Sequence, residues 1–254
     1  MNLSTPPLGV REIHVWIAPA AHDGLYDACR ELLSDEDEID IARLVLERDR
    51  RITAVSRGFR RLVLAGYLNK RPGSLRFSKG AYGKPVLADS SSVQFSTSDA
   101  GGLVAIAVSG KSDVGIDIES IRRRRGRSAV AVHFLSNVER RRLEALARER
   151  RDAAFHRCWA QKEAFAKLVG AGLHIPLDAF DVEVDPESPP GLRGNRLAAA
   201  DAKPCVITEV NLPVGYVGMV AVFGPAPVVR EFSVTTGQAR ELAVRQGFEP
   251  WVGL

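Results

Sequence analysis

Cysteine is scarce in this 254-residue chain: Cys29, Cys158 and Cys205 lie far apart, with no Cys-x-x-Cys pair. An odd number at such separations excludes a disulfide framework and a cysteine-based zinc site. It reads as small buried apolar residues in a reducing compartment. Long apolar runs are missing too. No stretch approaches the roughly 20 residues that a membrane span needs. The opening Met1-Asn2-Leu3-Ser4-Thr5-Pro6-Pro7 lacks a charged segment followed by an apolar one. A soluble cytoplasmic protein with no membrane partner is expected. Aromatics make up 7% of the chain, and none interleaves with the basic run Arg122-Arg123-Arg124-Arg125-Gly126-Arg127. That places nucleic acid last among anionic partners. Nor does one sign of charge dominate, since 35 Lys and Arg face 31 Asp and Glu, a net +4. Mild basicity suits a phosphorylated cofactor, an acidic protein or nucleic acid without choosing among them. What is present is ordinary globular composition, 45% hydrophobic and 26% charged. The length permits one large domain or two smaller ones.

Alternation over residues 12–18 predicts a first strand. Ser34 before Asp35-Glu36-Asp37 predicts a helix N-cap with acids in the first turn. Helical periodicity then runs from about Ile41 to Leu68. Residues 93–96 and 102–109 read as strands. Gly110-Lys111-Ser112-Asp113 reads as a turn and residues 114–119 as another strand, together suggesting a hairpin. Helices are predicted over 138–151 and 153–169, the second stopped by Gly170-Ala171-Gly172. Strands follow at 180–184, 206–210 and 216–223, with 186–194 an exposed loop. Each half mixes helices and strands, and a boundary falls near 110–113. The tail from Thr235 has no assigned role.

Three segments carry chemistry. In Gly115-Ile116-Asp117-Ile118-Glu119 a strand would turn Ile116 and Ile118 to the core. Asp117 and Glu119 would share the other face, about 7 Å apart. Two aligned carboxylates suit a hard divalent ion such as Mg²⁺, or form a solvated acidic edge. In Trp159-Ala160-Gln161-Lys162-Glu163-Ala164-Phe165-Ala166-Lys167, Glu163 and Lys167 share one helix face. They are a third acid with a phosphate-neutralising lysine, or an ordinary ion pair. Arg76-Phe77-Ser78-Lys79-Gly80-Ala81-Tyr82-Gly83-Lys84-Pro85 is a tight turn presenting Lys84. Phe95-Ser96-Thr97-Ser98-Asp99 ends a strand in groups able to line a phosphate site.

The order and spacing of these blocks resemble the surfactin-synthetase-type 4′-phosphopantetheinyl transferases, from about Arg43 to Phe223. Phe134-Leu135-Ser136-Asn137-Val138-Glu139 resembles the family's segment before the second block helix. The resemblance implies an α+β fold of two similar subdomains related by a pseudo-two-fold. Residues 1–112 would form the coenzyme A nucleotide side and 113–254 would carry the metal and catalytic residues. The implied activity is holo-[acyl-carrier-protein] synthase: the phosphopantetheine arm of coenzyme A passes to a serine of an apo acyl or peptidyl carrier, releasing 3′,5′-ADP. A monomer needing Mg²⁺, with Mn²⁺ as a substitute, is implied. Asp117, Glu119 and Glu163 match the metal carboxylates. Glu163 also matches the base, and Lys167 the residue assisting the leaving group. Arg51, Lys84, Ser98, Asp99, Lys162 and Lys167 fall at coenzyme A positions, and Arg122, Arg123, Arg124 and Arg125 at the carrier-docking segment. Two departures stand out. Asp99 replaces a histidine on the 3′-phosphate and Ser96 an asparagine. The family's upstream basic residues are also absent, with Arg43, Arg57, Arg60 or Arg61 as substitutes. Because a carboxylate cannot donate to phosphate, a relative with weak coenzyme A use or another pantetheine donor is one alternative. A non-catalytic carrier-binding module is another, opposed by the intact Asp117, Glu119, Glu163 and Lys167.

Overall fold

The computed structural model describes residues 5–89, 91–121, 132–197 and 203–234. Two runs with the same strand order make up most of these residues, the first with three helices and the second with two among the described residues. The first is β1 (Glu12–Pro19), helices α1 (Asp23–Arg30), α2 (Asp35–Ala42) and α3 (Glu47–Leu68), a hairpin of β2 (Phe77–Lys79) and β3 (Pro85–Leu87), then β4 (Gln94–Ala100) and β5 (Leu103–Ser109). The second is β6 (Val114–Ser120), helices α4 (Asn137–Ala145) and α5 (Arg148–Val169), a hairpin of β7 (Phe180–Val182) and β8 (Leu192–Asn195), then β9 (Cys205–Val210) and β10 (Tyr216–Phe223). In each run the last strand is the middle of an antiparallel meander, giving β1-β5-β4 and β6-β10-β9. The topologies match strand for strand, the repeat that a pseudo-two-fold requires. A final strand, β11 (Val228–Ser233), returns to the first sheet and runs parallel to β1.

Local chemistry accounts for the helix ends. Ser34 caps α2 with a full capping box, its side chain accepting from Asp37 N–H while the Asp37 carboxylate accepts from Ser34 N–H. Ser136 and Glu139 do the same for α4. The two 22-residue helices α3 and α5 stop at left-handed residues, Asn69 and Gly170.

Each long helix covers one face of its own sheet. Trp16, Phe59, Leu62 and Ile106 form the core beneath α3, and Phe165, Phe180 and Met219 the core beneath α5. The other faces meet in a third core, with Ile13, Val15 and Ile17 of β1 against Ile116, Ile118 and Val220. Strand β6 is therefore buried on both sides. Gly115 is where α5 comes down on it: a Cβ there would lie 2.0 Å from the Ala164 carbonyl oxygen. Edge strands β4 and β6 lie side by side without a backbone ladder. Ser96 and Ser98 hydroxyls instead accept from the Ile116 and Ile118 N–H groups, both at 3.2 Å.

Several boundaries differ from the sequence expectation. The hairpin lies between β4 and β5, not between β5 and β6, because β6 opens the second sheet. The predicted helix over 138–151 breaks at Leu146, which is extended, and Arg151 donates to the carbonyls of Glu144 and Leu146. Part of the predicted loop over 186–194 is β8. Among the described residues no helix is long and apolar enough to cross a membrane.

Candidate active site

Asp117 lies on the face of β6 that α5 covers and is only 5% exposed. Its Oδ1 accepts from Ser98 Oγ at 2.9 Å and from Lys167 Nζ at 2.7 Å. Its Oδ2 is buried with no hydrogen-bond partner. One turn before Lys167 stands Glu163. Burial pushes the Glu163 carboxyl pKa above its ordinary value, the Asp117 charge pushes it further, and Lys167 pulls it back. Asp117, Glu163 and Lys167 are thus one electrostatic unit. The two carboxylates need positive charge between them, and Lys167 is the cation that serves them.

Glu119 is two residues along β6, half-buried, with Oε2 3.8 Å from Nδ1 of His156. Among the described residues no three His, Cys, Asp or Glu side chains are gathered closely enough to hold a metal ion. Asp117 and Glu119 stand on β6 and Glu163 on α5, the two elements that pack together here. Because β6 packs along α5, Asp117 faces the Glu163–Lys167 turn while Glu119 faces His156, nearly two turns away. The Asp117–Glu163 pair offers the donor chemistry a hard divalent ion takes: carboxylate oxygens, one buried and unpartnered.

A cleft of about 210 Å³ opens beside this unit, lined by Tyr82, Gly83, Lys84, Pro85, Ser96, Thr97, Lys167, Gly170 and Gly172. A second, of about 270 Å³, lies around the same turn and shares Tyr82, Lys84, Pro85 and Gly170. Both form where the β2–β3 turn of the first half meets the end of α5. Tyr82 packs on His174, ring centroids 5.1 Å apart.

Other expected residues fall differently. Lys162 is fully buried, its ammonium donating to the carbonyls of Leu177 and Phe180 and pairing with Glu139 at 2.8 Å. All three of its donors are used inside the core, so the phosphate role expected for it is corrected. Ser98 is likewise buried, holding Asp117 rather than an open phosphate cradle. Arg51 stacks on Tyr26, pairs with Asp23 and lines neither cleft. Asp99 is exposed at the end of β4. Arg57 and Arg61 are committed to Asp37, and Arg60 lies over the Phe77 ring. Arg122, Arg123, Arg124 and Arg125 lie outside the described residues. Sequence reasoning missed the tie that Ser96 and Ser98 make to β6. Its signal was there: two hydroxyls two apart in a strand share a face.

Comparison with known proteins adds independent observations. Residues 113–217 match the family model of the 4′-phosphopantetheinyl transferase superfamily. Residues 17–111 match that of the 4′-phosphopantetheinyl transferase N-terminal region. The chain is 32% identical over 187 residues to 4′-phosphopantetheinyl transferase HetI of Nostoc sp., covering 72% of this chain and 78% of that one. It is 35% identical over 150 residues to 4′-phosphopantetheinyl transferase psf-1 of Bacillus pumilus, covering 59% and 61% respectively. To 4′-phosphopantetheinyl transferase Sfp of Bacillus subtilis it is 30% identical over 142 residues, covering 56% and 60%.

Proposed function

The chain belongs to the 4′-phosphopantetheinyl transferase family, and from that premise we propose that it moves the 4′-phosphopantetheine arm of coenzyme A onto a serine of an apo acyl or peptidyl carrier protein. The observation that carries this reading is the coupling of Asp117, Glu163 and Lys167 beside the cleft. A pyrophosphate needs positive charge, and Lys167 both lines the cleft and reaches the acids. A serine nucleophile needs a proton acceptor. The raised proton affinity of Glu163 makes it a stronger base than an exposed carboxylate.

The carrier serine Oγ forms a bond to the β-phosphorus, the bond from that phosphorus to the bridging oxygen breaks, and 3′,5′-ADP leaves with that oxygen. The serine proton passes to Glu163. Lys167 steadies charge on the departing phosphate. Asp117, Glu119 and Glu163 are the residues that would hold Mg²⁺ or Mn²⁺, whose charge would neutralise the pyrophosphate. Lys84, Ser96 and Thr97 line the cleft that receives the phosphates, with Ser98 behind them and Arg51 and Asp99 toward the nucleotide.

We assign residues 1–112 to the nucleotide side and 113–254 to the metal and catalytic side; the matched segments meet at 111 and 113. One chain supplies the acids, the lysines and the cleft, which supports a monomer, and the free cysteines suit a reducing compartment such as the cytoplasm. Arg122, Arg123, Arg124 and Arg125 follow closely on Glu119 and are assigned to docking an acidic carrier surface. Neutralising them should raise the carrier KM and flatten its salt dependence, whereas a change in coenzyme A affinity alone refutes docking. The test of the whole reading is incubation with coenzyme A, Mg²⁺ and a panel of apo-carriers from fatty acid, polyketide and nonribosomal peptide synthesis. Mass spectrometry should find the arm on a carrier serine. No addition to any carrier refutes the reading.

A further inference from the structure

Lys84 stands on the β2–β3 turn of the first half, yet among the described residues its ammonium bonds to the second. Nζ donates to the carbonyl of Val114 at 3.0 Å and to the carbonyl of Lys167 at 2.8 Å. Val114 is the first residue of β6, three before Asp117. Lys167 is in the last turn of α5, and its own side chain reaches Asp117. One cation therefore grips the start of the strand and the end of the helix that carry the acid pair.

The chemistry suits such a tie. A helix leaves its last carbonyls without intrahelical donors, and a cation there also meets the negative end of the helix dipole. Gly170 N–H serves Ala166, and Lys84 serves Lys167. The ammonium is half-buried, and burial lowers its pKa, partly offset by Asp113. Two of its three donors are spent on backbone carbonyls, which leaves one for the cleft.

We infer that Lys84 is a positioning residue: it fastens the first half to β6 and α5, so that Asp117, Glu163 and Lys167 keep their spacing. The catalytic part of this inference rests on the proposed transfer, while the tie itself does not. The experiment uses Lys84→Met in the full chain, with two readouts. In ligand-free protein, amide hydrogen exchange in residues 112–118 and 164–172 should rise at least about tenfold. In transfer assays kcat should fall roughly 10–100-fold, as small misplacements of reacting groups do, while the coenzyme A KM, which loses the one donor left for the cleft, rises by a smaller factor than kcat falls. Unchanged exchange in both segments overturns the tie. A raised coenzyme A KM with kcat retained overturns it in favour of a plain phosphate contact. If the wild type transfers nothing to any carrier, the functional reading fails, and exchange alone decides the tie. Should Lys84→Met not fold, Lys84→Arg decides: it keeps donors for both carbonyls and should match wild-type protection within about threefold, and loss of protection there overturns the inference.

Discussion

Substituting Gly115 by alanine tests how the site is built. The added Cβ would lie 2.0 Å from the Ala164 carbonyl oxygen and 2.5 Å from the Leu168 nitrogen. Comfortable contact is about 3.5 Å. Both neighbours are backbone, so no side chain can swing aside, and α5 must retreat by roughly 1.5 Å. Overpacking of this kind costs about 1–3 kcal/mol, here at the upper end because a helix must move. For a chain of this size that corresponds to a Tm lower by roughly 6–12 °C. The same retreat draws Glu163 and Lys167 away from Asp117. A displacement near 1 Å costs on the order of 100-fold in rate, so kcat should drop at least that far in protein that is still folded. Thermal unfolding followed by circular dichroism, with transfer rates below the transition, measures both. A Gly115→Ala protein with wild-type Tm and turnover within about twofold would refute the packing argument.

Lys162→Met should destabilise the chain by about 3–5 kcal/mol, since it strands the fully buried Glu139 without its cation. Denaturant titration checks this, and normal stability with a raised coenzyme A KM would restore the phosphate role. His14 is buried, donating from Nε2 toward Glu12 and bonded at Nδ1 to the Tyr67 hydroxyl at 2.6 Å. Burial lowers its pKa despite Glu12. The unfolded chain therefore takes up this proton first, and stability should fall as pH drops below about 6.5 until the lower folded value is reached. Replacing His14 by Gln should flatten that part of the stability–pH curve; an unaltered curve contradicts the assignment.

Much of the fold was legible because its signals are local. Ser34 with acids behind it gives α2, Gly170 ends α5, and the near-continuous apolar run in residues 216–223 matches β10. The break at Leu146 was not legible, since no glycine or proline marks it and the cap comes from a side chain one helix later. Strand β11 exists only through its pairing with β1, more than 200 residues away in sequence. Within the site, the shared face of Glu163 and Lys167 followed from helical spacing. The depth of Lys162 did not: its neighbour Glu163 is coupled to Asp117 and Lys167, and periodicity alone does not say that Glu139 and two carbonyls await Lys162. Glu119 was placed correctly on its strand face, but the partner opposite each strand residue is set by how β6 lies along α5, which no local pattern encodes.

The central claim is that Glu163, strengthened as a base by burial beside Asp117, takes the proton of the carrier serine. Single-turnover transfer from saturating coenzyme A by Glu163→Gln, with coenzyme A affinity measured on the same protein, tests it most directly. The account predicts a rate at least about 100-fold below wild type, the loss expected when a positioned base is removed, with coenzyme A affinity changed by less than about threefold. Transfer at the wild-type rate by that variant would contradict it.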